Sequence, residues 1–227
     1  MTRFAELTDP ERDRITAAVA SAEGRSAGEI VTILTRRSDG YSDIALAWAA
    51  LIAFLALLML AYAPHFWLSL VDRVTGEWAN DWTPREVFAI AGIAAMVKFA
   101  GMLVLQLWPP LKFALVPGPI RSSRVRARAV AAFKIGAERR THGRTGILIY
   151  LSLDERRAEI VADEAIAGKV APEVWGDAMA AMLAEIRKGR IADGMIAAVD
   201  RVGAVLADHL PRAEDDVNEL PDRLIEV

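Results

Sequence analysis

The chain contains no cysteine among its 227 residues. Disulfides, thiol catalysis and zinc–thiolate sites are therefore excluded. Histidine is scarce, and His65, His142 and His209 lie too far apart to give a metal-ligand spacing. No P-loop, Gly-x-Ser-x-Gly elbow or dinucleotide fingerprint occurs. Neither sign of charge dominates: the net charge is −3, which gives no global basis for binding nucleic acid. The opening segment, MTRFAELTDPERDRI, is charged and lacks an apolar h-region, so no secretory signal peptide is expected. Internal repeats and long low-complexity tracts are also missing.

What the chain does have is two water-excluding runs near its middle. Ile44 to Ala63 (IALAWAALIAFLALLMLAYA) carries no charge, and Val87 to Trp108 (VFAIAGIAAMVKFAGMLVLQLW) carries only Lys98. A helix of about 20 apolar residues crosses the roughly 30 Å hydrocarbon layer, and both runs have that length. They predict a transmembrane hairpin. Basic residues flank it unevenly: Arg25, Arg36 and Arg37 before it, and Lys112, Arg121, Arg124, Arg126 and Arg128 after it. Between the runs, Arg73 and Arg85 are offset by Asp72, Glu77, Asp81 and Glu86. This bias predicts a multi-pass protein of the cell inner membrane with both termini cytoplasmic and the Pro64–Glu86 loop outside. Trp48, Tyr62, Trp67, Trp78, Trp82 and Trp108 fall near the expected boundaries, as interfacial aromatic residues do. A lysine at a helix centre costs about 2.5–3.5 kcal/mol to insert. Lys98 thus marks either a polar or inter-subunit contact, or a span shifted toward Phe99–Val116 with the lysine near an interface. Pro109 and Pro110 are expected to end or kink the second helix, and Pro117-Gly118-Pro119 to break the chain after it.

The flanks read as one α/β unit divided by the hairpin. Thr8 and Glu11 form a capping-box pattern ahead of a helix running to about Glu23. Glu29–Arg36 (EIVTILTR) is β-branched and mostly apolar, the signature of a strand covered on both faces. After the hairpin, Ser122 or Ser123 can cap a basic helix to about Thr141, with Val125, Ala129, Ala132 and Phe133 on its inner face. Gly146–Ser152 (GILIYLS) is a second fully buried strand, and Arg156–Asp163 alternates as an adjoining half-exposed strand does. Trp175, Met179, Met182 and Ile186, and then Ile191, Met195, Val199, Val202 and Leu206, recur at helical spacing. A lone first strand leaves its backbone unpaired, so it must join the second. The segments are thus 1–43, the N-terminal helix and first strand; 44–116, the hairpin; 117–211, the rest of the domain; and 212–227, an acidic tail. That tail (AEDDVNELPDRLIEV) is too polar to fold alone and is predicted to be solvated, or to dock on the basic helix or a partner.

The run RTGILIYLSLDERRAEIVADEAI, from Arg144 to Ile166, resembles the central stretch of TPM domains, found in bacterial membrane-linked proteins and thylakoid photosystem II repair factors. Glu29–Thr35 is similar to that family's opening strand, and Trp175 with GRIADGMIAAVDRVG (Gly189–Gly203) to its closing helices. The resemblance implies an α/β, three-layer α/β/α fold with a small mixed sheet, here interrupted by the hairpin. It also implies two functional expectations, weak acid-phosphatase activity and an acidic, calcium-linked site.

Asp163 and Glu164 match the acidic end of the family's third strand and can hold Ca²⁺ or Mg²⁺ through oxygen ligands, or cap the following helix. Asp193 is a third acidic candidate, or a first-turn carboxylate favoured by the helix dipole. Arg144 can bind an anion or pair with Asp163. Together these are the candidate residues of a metal-dependent phosphatase. The stronger clue is the basic helix: Arg121, Arg124, Arg126 and Arg128 follow the second apolar run closely, and each contributes about 1 kcal/mol beside anionic lipid. Its partners are then the lipid bilayer and other membrane proteins, with a homo-oligomer as a further option. The function expected is a non-catalytic interaction, assembly or maintenance factor for membrane proteins.

Overall fold

The computed structural model describes residues 7–76, 82–136, 145–212 and 220–227. It divides into two units, one formed by the chain up to Asp39 together with Gly118 onward, the other by Gly40–Pro117.

The first unit contains α1 (Asp9–Glu23), β1 (Glu29–Thr35), α6 (Gly118–Gly136), β2 (Gly146–Ser152), β3 (Arg157–Ala162), α7 (Glu164–Ala167), α8 (Pro172–Ile186), α9 (Ile191–His209) and β4 (Ile225–Glu226). The second contains α2 (Ser42–Tyr62), α3 (Pro64–Thr75), α4 (Pro84–Leu105) and α5 (Pro109–Leu115).

The sheet order is β3-β2-β1-β4. β1 and β2 run parallel and pair along their whole length, from Glu29 opposite Gly146 to Thr35 opposite Ser152. The strand expected to be an orphan before the hairpin therefore closes on the strand that follows it. Both strands are buried at every position, in keeping with their largely apolar sequences. β3 runs antiparallel to β2 and is half-exposed.

Side chains alternate across the sheet. Ile30, Leu34, Ile147, Ile149 and Leu151 enter the larger core with Ile15 and Val19 of α1, Met182 of α8, and Met195, Val199 and Leu206 of α9. Val31, Ile33, Leu148 and Tyr150 enter a second core with Val125, Ala129 and Phe133 of α6. The result is three layers, with a small mixed sheet between helices. The seams of α9 are tight: a Cβ on Gly203 would stand 2.6 Å from Ala22 Cβ, and one on Gly194 would stand 2.8 Å from Met182 O.

Several boundaries differ from the sequence expectation for identifiable reasons. The helix expected from Ser122 or Ser123 starts at Gly118, because Pro119 suits a first helical turn rather than breaking it; its expected end near Thr141 lies outside the described residues. β3 starts at Arg157, because Arg156 turns the chain with φ 52°, in the left-handed region. The Pro64–Glu86 segment, expected as a loop, contains α3, with Pro64 in its first turn and Gly76 at φ 79° closing it. The last residues of the acidic tail join the fold. Ile225 and Glu226 pair parallel with Ile33 and Leu34, Val227 N donates to Leu34 O at 3.0 Å, and Leu220 is buried. The capping box holds as read: the Glu11 carboxylate accepts from Thr8 N and Thr8 Oγ1, both at 2.8 Å.

In the second unit, α2 packs along α4. Gln106 Nε2 donates to Ala45 O at 3.1 Å, Trp48 Nε1 donates to Leu115 O at 3.0 Å, and Tyr41 meets Phe113 edge to face at 5.9 Å. Thr83 and Glu86 form a second capping box at the start of α4.

Candidate functional site

Two helices, α2 with 21 residues and α4 with 22, are long and apolar enough to cross a membrane. Within the most apolar window of each, only 17% and 0% of residues, respectively, are buried. A water-soluble core helix hides its apolar residues, whereas these present Leu51, Phe54, Leu58, Phe88, Met96 and Val104 outward. Large apolar side chains exposed along both helices are the pattern of a surface that another apolar phase or partner covers.

In the first unit, the carboxyl ends of the parallel strands are the natural place for a ligand in a sheet of this kind. Ser38 N donates to Glu155 Oε1 at 2.8 Å, Ser152 Oγ donates to Glu155 Oε2, and Ser38 Oγ lies 3.1 Å from the Tyr150 hydroxyl. Thr35 Oγ1 donates to Val227 O at 2.9 Å. Ser152 and Glu155 are almost fully buried. Burial pushes the Tyr150 hydroxyl above its usual range, although the hydrogen bond with Ser38 opposes it. Both Glu155 oxygens are occupied, so the cluster works as a polar staple tying the end of β1 to the β2–β3 turn. Sequence reasoning missed it; the available signals were a tyrosine inside an apolar strand and a glutamate in a tight turn.

The opposite end of the sheet holds Asp163 and Glu164. Asp163 follows β3, where its backbone N donates to Gly146 O at 2.9 Å and its Oδ2 accepts from Gly146 N at 3.3 Å. Its carbonyl also accepts from Ile166 N and Ala167 N, so it starts α7. Glu164 is the exposed first residue of that helix. Asp193 sits in the first turn of α9 and pairs with Arg14 at 2.6 Å and Arg190 at 3.5 Å. These three carboxylates are not brought together, and among the described residues no group of three His, Cys, Asp or Glu side chains is placed to hold a metal ion. Asp163 Oδ2 is engaged by the Gly146 backbone N–H, and the two Asp193 oxygens face Arg14 and Arg190. Arg144 lies outside the described residues.

Of the basic residues on α6, Arg124 pairs with Asp39 at 3.3 Å and Arg126 with Glu159 at 3.4 Å. Arg128 is exposed and Arg121 partly so.

Glu23 ends α1 and is buried, and its Oε1 accepts from Ile30 N at 2.7 Å. Burial pushes its carboxyl from 4.5 up to about 8 against the pull of that N–H, and the charges of Glu29 and Asp222 push the same way. A side-chain hydrogen bond links Glu23 to Asp222. Leu220 N in turn donates to Glu29 Oε2 at 3.2 Å. This carboxyl network holds the C-terminal segment against the start of β1. Folded Glu23 keeps its proton where the unfolded chain has released it, so its contribution is complete below about 4.5 and is lost as pH rises through about 8. Glu23→Gln is expected to flatten that decline. Urea unfolding at stepped pH would measure it, and an unchanged slope would refute the assignment.

The class these features define is a three-layer α/β/α domain interrupted by an apolar helical hairpin. Residues 121–205 match the family model of the TPM domain. Among solved structures, the NMR structure of BA42 protein from the psychrophilic bacterium Bizionia argentinensis is similar, with a TM-score of 0.57 at 17% identity over 100% of both chains. Identity that low speaks for the fold alone. No curated protein matches the chain.

Proposed function

We propose that this chain is an integral membrane protein of the inner membrane. In this reading α2 and α4 span the bilayer, both termini are cytoplasmic, and the TPM domain is displayed there as a non-catalytic interaction, assembly or maintenance factor for other membrane proteins. The observation that carries this reading is the outward-facing apolar surface of α2 and α4, which water would not tolerate and a bilayer would cover. The basic residues flanking the hairpin support the orientation. Arg121 and Arg128 on α6 offer charge to anionic headgroups, whereas Arg124 and Arg126 are already engaged within the domain. The non-catalytic assignment draws on the self-satisfied staple at Glu155 and on the separation of Asp193, in α9, from the adjacent Asp163 and Glu164.

The full chain is expected to stay in the membrane pellet through an alkaline carbonate wash and to leave it only with detergent. Reporters fused in the α3 segment and at the C-terminus should report opposite sides. Release by carbonate would overturn the membrane reading, and a periplasmic C-terminus would overturn the orientation.

A further inference from the structure

We infer that Lys98 of α4 is a docking point for a second membrane protein, one that presents an aspartate or glutamate within its own bilayer-spanning segment. This rests on the membrane reading above. Lys98 carries the one charge between Glu86 and Lys112. Its side chain is exposed and makes no hydrogen bond or ion pair among the described residues.

Two ways of relieving that charge inside this chain fail. The first is a shifted span. A continuous helix from Phe99 to Val116 would bring Lys98 to a membrane boundary, but α4 stops at Leu105 and a new helix opens at Pro109. Gln106, at the break, is buried and bonded back to Ala45 O and Met102 O. The second is snorkelling. Leu105, the nearer end of α4, is about 10 Å from Lys98 along the axis at 1.5 Å per residue. Helical side chains lean toward the N-terminus, so the lysine stem starts toward the middle of the apolar layer and away from that end. Phosphate headgroups lie beyond its direction of reach.

The counter-ion cannot come from a second copy at the same depth. No Asp or Glu occurs from Ile44 to Val71 or from Val87 to Lys112, so an identical hairpin brings no carboxylate. A carboxylate from a different chain's span neutralises the lysine by charge complementarity. Intramembrane ionisable residues pair in this way when they do not line a water-filled cavity.

The test uses the full chain in its native membranes, with a photo-reactive residue at Val97 or Gly101 beside Lys98. The expected result is an adduct to one other protein, mapped by mass spectrometry to an apolar segment containing Asp or Glu. Its yield should fall roughly tenfold or more in Lys98→Leu, as loss of one partner of a buried charge pair does, and persist in Lys98→Arg. Replacing the partner's carboxylate with its amide should have the same effect as Lys98→Leu. Adducts confined to lipid or to a second copy would overturn the proposal, as would a hetero-adduct indifferent to Lys98→Leu. A carbonate wash run alongside separates the two readings: retention of all variants with no lysine-dependent adduct removes only the docking point, whereas release of the unsubstituted chain removes the membrane reading and the docking point with it.

Discussion

Excising residues 40–117 and joining Asp39 to Gly118 through a short Gly/Ser linker is expected to convert the chain, membrane-bound on the reading proposed above, into a water-soluble, folded domain. The two ends to be joined belong to one unit, in which the Asp39 carboxylate lies 3.3 Å from Arg124, in the second turn of α6. Everything that holds the sheet together survives the excision. The β1–β2 ladder, the α1–α9 seam and the core around Ile147, Ile149 and Met195 involve no residue of the removed unit. What disappears is the outward apolar surface of α2 and α4. The excised protein should move from the membrane pellet to the detergent-free supernatant, retain an α/β circular-dichroism spectrum and unfold in one cooperative transition. An insoluble or unfolded product would show that the hairpin is part of the domain's core rather than an interruption of it.

Truncation before Leu220 is the second large effect. The segment contributes a buried leucine, a parallel edge strand on β1 and hydrogen bonds to Glu29 and Thr35. The Arg12–Glu226 ion pair, at 2.8 Å, would go with it but is exposed and adds little. Losing a core leucine costs about 2–5 kcal/mol, and leaving a buried carboxylate without its partner about 1–3 kcal/mol more. The sum is a large fraction of the roughly 5–15 kcal/mol that stabilises a domain of this kind. Denaturant unfolding of the excised domain with and without residues 220–227 would measure it. A change within about 0.5 kcal/mol, the range of an inconsequential surface edit, would mean that the segment rests on the fold without supporting it.

The parts of the fold that were legible in the sequence share one property: their local pattern and their tertiary environment agree. Glu29–Thr35 and Gly146–Ser152 are mostly apolar because helices cover both faces, and their partnership follows from neither being able to stand alone. The spacing from Ile191 to Leu206 gave α9 for the same reason. β4 was hidden because two strand residues after an acidic run carry no periodic signal; it exists only because β1 offers an open edge at Ile33 and Leu34. α3 was hidden by its mixed composition between two uniformly apolar runs. At the candidate site, acidity at a strand end suggested chemistry, yet the geometry uses Asp163 to close the β2–β3 ladder and Asp193 to hold α1 against α9. The staple around Glu155 joins residues from three separated stretches, and no spacing rule announces such a meeting.

The parallel pairing of β1 with β2 across the hairpin sets a timetable for synthesis. Ribosomes elongate at about 5–20 residues per second, so roughly 5–20 s separate the emergence of Thr35 from that of Gly146. Throughout that interval the nascent chain carries a naked, β-rich segment with no partner yet made, while the two long apolar helices emerge behind it. On the membrane proposal, insertion precedes closure of the sheet, and any factor that shields Glu29–Thr35 during the wait governs how much of the newly made protein escapes aggregation.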